Sequence, residues 1–191
     1  MTSSKSILAT LAGILVKALS RESRAEPVEP RRPHATLRPD GVGSLPHARD
    51  AGREGGTATV RIDPESVPDL AVGYSPSRNR LPDSGEVIWT WVPYEENDGR
   101  GKDRPVLVIG RQTDDRVYAV RMTSRSRDGD RDYVPIGSGD WDSRGRESWV
   151  DIEQLYSVHA DGMRREAAVL DAGRYGRVAE ALIARYGWAR A

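Results

Sequence analysis

The sequence predicts a mainly β fold, a small barrel or strongly bent antiparallel sheet covered by one C-terminal helix, behind a largely disordered N-terminal extension. Three observations predict it. Short β-type segments follow one another from Glu86 to His159 with turns rather than helices between them, which argues against a parallel α/β sheet. A single amphipathic helix pattern closes the chain after Asp171. Eleven of the twelve Trp and Tyr residues lie after Gly85, whereas nine of the twelve prolines lie before it, so only the second part has the side chains for a core.

The expected domains are a short amphipathic helix within 1–20, a Pro/Arg/Gly-rich linker over 21–84 and the folded domain over 85–191. Ile7, Leu11, Ile14, Leu15 and Ala18 recur at helical spacing, but the apolar run Ile7–Leu19 is too short to span a bilayer. A partner-induced helix, a signal peptide and surface contact with a membrane through residues 7–19 are the readings it allows. Thr57–Ile62 alternates as an edge strand would, and the prolines at 64, 68, 76 and 82 then return the chain to extended, turn-rich backbone.

From Gly85 the signals are dense. Glu86–Val92 has strand composition, and Pro105–Ile109 is continuously apolar, as in a strand buried on both faces. Val117–Met122 and Tyr133–Ile136 are further strands, the latter placed at an edge by Pro135. Ser148–Val150 and Ile152–His159 supply the last strand material, and a helical turn is expected from Asp161 through Arg165. Asp171 then caps a helix whose Tyr175, Val178, Ala179, Leu182, Ile183 and Tyr186 share one face, and Gly187 ends it.

Composition narrows the chemistry. With no cysteine there are neither disulfides nor thiolate metal sites, and His34, His47 and His159 have no metal-ligand spacing, so no metal and no cofactor is expected. Nucleophile-elbow, P-loop, dinucleotide-fingerprint and HExxH patterns are all missing. Residues 85–191 hold 17 basic and 19 acidic side chains, a net of −2, so any polyanion would need a local patch. Arg100, Lys102, Arg104, Arg121, Arg125 and Arg127 form such a patch if they share a face.

Two polar clusters sit at strand ends: Gly99–Arg104 before the apolar strand and Thr123-Ser124-Arg125 after the next. If these strands are antiparallel neighbours, the start of one lies beside the end of the other, and Arg104 and Thr123 meet at one rim. A guanidinium and a hydroxyl together suit a phosphate. The plainer alternative is that Arg104 pairs with a nearby carboxylate while Thr123 caps a turn.

Gly85-Glu-Val-Ile-Trp89, the charged loop after it and above all Arg104-Pro-Val-Leu-Val-Ile109 resemble the MazF/PemK (Kid-like) toxin family over about residues 85–188. The resemblance implies an SH3-like barrel, usually a homodimer, in the cytoplasm. It also implies a type II toxin–antitoxin endoribonuclease that cleaves single-stranded RNA without metal, by attack of the RNA's own 2′-hydroxyl, and is silenced by a cognate antitoxin protein. Carried over by position, Arg104 and Thr123 would be catalytic, with Ser124 beside them binding RNA; Arg125, Arg100 and Lys102, from the basic patch, are the further RNA-binding candidates. Glu95, Glu96 and Asp98 are loop carboxylates that chemistry alone offers as a general base. The alternatives are a non-catalytic binding or regulatory protein that keeps the barrel, and a membrane-peripheral or assembly protein anchored through residues 7–19.

Overall fold

The computed structural model describes residues 52–77, 81–96 and 98–191. The helix expected within 1–20 and the linker up to residue 51 lie outside the described residues.

The longest uninterrupted apolar run makes the central element. Strand β4 (Gly101–Arg111) carries Val106, Leu107, Val108 and Ile109, none of which has any exposed surface. Successive side chains of a strand point to opposite faces, so the run feeds two clusters. Val106 and Val108 join Ile88, Val117, Ala119, Tyr156 and Val158 on one side. Leu107 and Ile109 join Met122, Leu155, Tyr175, Val178 and Leu182 on the other. Each such side chain contributes about 1.5–3 kcal/mol by leaving water.

Strands β3 (Glu86–Pro93) and β5 (Arg116–Thr123) flank β4, and β7 (Ser148–His159) and β8 (Met163–Val169) extend the sheet outward. With β1 (Val60–Ile62) the order is β1-β7-β5-β4-β3-β8, and β6 (Tyr133–Gly137) also pairs with β7; every pairing in this sheet is antiparallel. The sheet curls into the expected small barrel, and helix α1 (Ala172–Tyr186) covers one face. The Asp171 carboxylate accepts the Arg174 N–H at 3.0 Å, and Gly187 ends the helix at φ 71°, a left-handed conformation that costs glycine little. No helix among the described residues is long and apolar enough to cross a membrane.

Two features depart from the sequence expectation. The helical turn expected through Arg165 is limited to a 3-10 turn at Ala160–Gly162, and Met163–Val169 is strand β8. Met-Arg-Arg-Glu-Ala-Ala has good helical propensity, but β3 offers an unpaired edge there, and pairing Arg165 with Ile88 and Arg164 with Trp89 outweighs it. The edge strand expected within Thr57–Ile62 forms as β1, but the turn-rich backbone expected after it also supplies a strand. Val60 and Ile62 pair with Ser157 and Leu155, and β2 (Ala71–Val72) pairs in parallel with β9 (Ala189–Arg190).

Residues 52–62 join the two ends of the sheet, between which no backbone ladder runs. Arg116 donates to the carbonyl of Gly56 at 2.7 Å and to the Ser157 hydroxyl at 2.9 Å. Buried Thr90 donates to the Gly162 carbonyl at 2.8 Å and so accepts from Thr59 at 2.7 Å. Gly52, at φ 82°, lies so close that a β-carbon there would stand 2.4 Å from the Gly162 oxygen. Replacing Thr90 by Val leaves the Gly162 carbonyl and the Thr59 hydroxyl unpaired, and we expect about 1–3 kcal/mol of destabilisation in urea denaturation. An unchanged midpoint would show that the two ends are held by other contacts.

Candidate functional site: a cationic cavity beside the free edge of β4

Strand β4 outruns β5. Its pairing with β5 begins at Val106↔Arg121, while residues 101–105 pair with β3 alone. Beyond the end of β5 the free edge of β4 faces a cavity of about 320 Å³, walled on the far side by the loop after β6. Continuing this register by two residues sets Arg104 across from Thr123, and both line this cavity.

Lys102, Ser124 and Arg125 line it too, whereas Arg100 does not. Arg100 sits at the hairpin tip, its Nε 2.6 Å from Asp98, and borders a separate groove. That hydrogen bond holds the Asp98 carboxyl below its ordinary value. Glu95 accepts from Gln154 at 2.8 Å on the same separate groove, so neither Glu95 nor Asp98 reaches the cavity, and Glu96 does not line it.

Of the six basic residues of the expected patch, Lys102, Arg104 and Arg125 meet here. Arg127 instead lies 4.5 Å from the centre of the Tyr133 ring. Arg121 turns inward to the buried Asp151 carboxylate, which the Tyr133 hydroxyl also approaches at 3.3 Å. This pair fixes the last turn of ladder before Thr123, where Met122 and Thr123 pair with Val150 and Trp149. Burial pushes the neighbouring Tyr156 hydroxyl up to about 12, so it stays neutral at physiological pH.

The other wall was not legible in the sequence. Trp141, Asp142, Arg144 and Arg146 come from the loop between β6 and β7. Trp141 is buried and its indole N–H donates to Ser148 at 3.1 Å, which anchors the loop. Asp142 accepts from Arg146 Nε at 2.8 Å and from the Arg144 N–H at 2.9 Å. Burial works to raise the Asp142 carboxyl, but these hydrogen bonds outweigh it and hold the group below the usual carboxylate value. The spacing Asp-Ser-Arg-Gly-Arg is a turn signal whose arginines hint at an anion, but nothing local tells where the loop lands.

Five cations therefore face the cavity against two carboxylates, Asp103 and Asp142. Both carboxylates are engaged, Asp103 by Arg164 and Asp142 by Arg146. The guanidinium of Arg104 makes no ion pair or hydrogen bond among the described residues and has no acid of its own to neutralise it. Thr123 Oγ accepts the Arg125 N–H at 3.2 Å, the turn-capping contact, and keeps its own proton to donate. The arrangement suits an anion with several acceptor oxygens.

Arg104 and Thr123 thus share one cationic rim of the β domain. The sequence pattern of the PemK-like, MazF-like toxin of type II toxin–antitoxin systems matches residues 83–185, more than half of the chain, and the protein belongs to that family. Similar solved structures include MazF (Form-I) from Deinococcus radiodurans, 20% identical over 56% of this chain and 97% of that one, with a TM-score of 0.45. MazE–MazF (Form-II) from the same organism is 18% identical over 56% of this chain and 96% of that one, with a TM-score of 0.43. A comparison with curated proteins gives no match.

Because Asp151 is the close, buried counter-charge of Arg121, Asp151→Ala leaves that guanidinium only the exposed Glu95, 4.0 Å away. We expect about 3–5 kcal/mol of lost stability in chemical denaturation. A loss below about 1 kcal/mol would mean that Arg121 finds water instead.

Proposed function

We propose that the protein is an endoribonuclease that cleaves single-stranded RNA without a metal ion, at a phosphate held between Arg104 and Thr123. The observation that carries the reading is the unpaired Arg104 guanidinium opposite Thr123 in a cavity whose carboxylates are already engaged. The RNA 2′-hydroxyl gives up its proton to water and its oxygen attacks the adjacent phosphorus; a 2′-O–P bond forms, the P–O5′ bond breaks, the departing 5′-oxygen takes a proton from water, and the ends are a 2′,3′-cyclic phosphate and a 5′-hydroxyl. Negative charge grows on the non-bridging oxygens in that step. Arg104 offers a fixed positive fork to them, and Thr123 a hydroxyl proton.

Lys102, Ser124 and Arg125 border the same cavity and are assigned to the flanking backbone. Asp142 is assigned to holding its loop, because a carboxylate kept below its ordinary value is a poor proton acceptor at neutral pH. Family membership supports a cognate antitoxin as the partner that silences the cavity, and a homodimer as the acting form.

Purified protein incubated with mixed-sequence RNA in chelator should leave cyclic phosphate ends. Arg104→Ala should lower cleavage by about 100-fold or more with the fold intact, and Thr123→Val by about tenfold. Cleavage that survives Arg104→Ala, or that stops in chelator, overturns the mechanism. A folded protein that binds RNA but leaves it whole is instead a non-catalytic binding module.

A further inference from the structure

The hairpin of β3 and β4 borders a second recess, an open groove of about 710 Å³. One wall is the hairpin, with Trp91 and Tyr94. The other is the segment 53–64, which lies before the family-matched span and contributes Arg53 and Arg61. Trp89 lines the cavity and Trp91 lines the groove. The two are separated by one residue on the same strand, so they leave the same face about 7 Å apart. Cavity and groove are therefore successive recesses along one strand.

The position of Trp91 is set by its neighbour. A β-carbon on Gly101 would stand 2.6 Å from the Trp91 indole nitrogen, so the ring lies across Gly101 on the paired strand. The Arg53 guanidinium covers the ring, 5.0 Å from its centre.

The charges of the groove are unequal in their commitments. Glu95 lies 4.0 Å from Arg121 and accepts from Gln154 at 2.8 Å, Glu153 lies 3.4 Å from Arg185, and Asp63, which has no arginine among the described residues, caps its own turn by accepting the Glu65 N–H at 3.0 Å. Arg100 is taken by Asp98. Arg61 makes no ion pair among the described residues, and Arg53 has only Glu54, at 3.8 Å. Two exposed arginines beside an aromatic face remain for a ligand.

We propose that this groove is a second nucleotide subsite, which stacks a base of single-stranded RNA on Trp91 and holds its phosphate with Arg53 and Arg61. The proposal rests on the reading of the cavity as an RNA site and extends it by one step along the strand. Base entry moves Arg53 off the ring to the phosphate, exchanging an exposed cation–π contact for base stacking and a charge-assisted hydrogen bond. The segment 53–64 thereby adds to the family barrel a contact that residues 83–185 do not contain.

The test uses the full chain and a labelled mixed-sequence 12-mer with 2′-O-methyl riboses, which binds but has no free 2′-hydroxyl to react, followed by fluorescence anisotropy. Trp91→Ala should weaken binding about tenfold and Trp91→Tyr less than threefold, because stacking needs only an aromatic face. The Arg53→Ala, Arg61→Ala pair should flatten the dependence of log K on log salt by about one phosphate contact or more. Both arginines are exposed, so this arm reads out even if Trp91→Ala fails to fold. Unchanged affinity and salt slope in the arginine pair, or no binding of the 12-mer by the wild type, overturns the subsite. Binding is measured apart from cleavage. A protein that cleaves ordinary RNA while its groove variants bind normally loses only the subsite. One whose groove variants bind weakly but whose wild type cleaves nothing loses only the endoribonuclease reading.

Discussion

Four consecutive side chains of β4, Val106 to Ile109, are withdrawn completely from water, and the rest of the structure depends on that. A strand can bury both faces only if something covers each. The interior of the barrel covers one, through Ile88, Val117, Ala119, Tyr156 and Val158. Helix α1 covers the other, through Tyr175, Val178 and Leu182. The requirement explains why the amphipathic helix must return to the sheet and why β3 and β5 flank β4 on both edges.

The same constraint places the cavity. Burial on both faces stops at Pro105, where the chain becomes polar, and β5 ends where its last apolar residue, Met122, is used up. The strand thus continues past its neighbour with a polar edge, and Arg104 and Thr123 stand at the two sides of the step. Charge follows a similar logic. Acids outnumber bases over 85–191, yet Asp103, Asp142, Asp151 and Glu86 are each bound to an arginine, while Lys102, Arg104, Arg125 and Arg144, which make no ion pair among the described residues, line the cavity. A net count hides this, because only unpaired charge attracts a polyanion over short range.

Legibility followed the range of the interactions. Strand β4, the capped helix and the antiparallel step between the apolar strand and its successor are written in neighbouring residues, and the helix bounds agree with Asp171 and Gly187. Strand β8 was not legible, since Met163–Val169 takes its conformation from the open edge of β3 rather than from its own propensity. The arginines of the loop after β6 were visible as residues but not as a wall. Arg100 and Lys102, two positions apart, fall on different recesses: β4 begins at Gly101, so Lys102 belongs to the strand and Arg100 to the turn before it.

By itself, then, the sequence determined which segments are apolar enough to be buried, where the helix begins and ends, and that an arginine stands at the foot of the central strand. Those properties depend on composition and on periodicities of two and 3.6 residues. Only the tertiary structure decided that residues 52–62 join the ends of the barrel and that the acids are matched to arginines elsewhere. It also decided that Trp141–Arg146 faces Arg104 across a cavity. Each of these is a contact between residues far apart in the chain, and such contacts are chosen by which edges and charges the rest of the fold leaves unpaired.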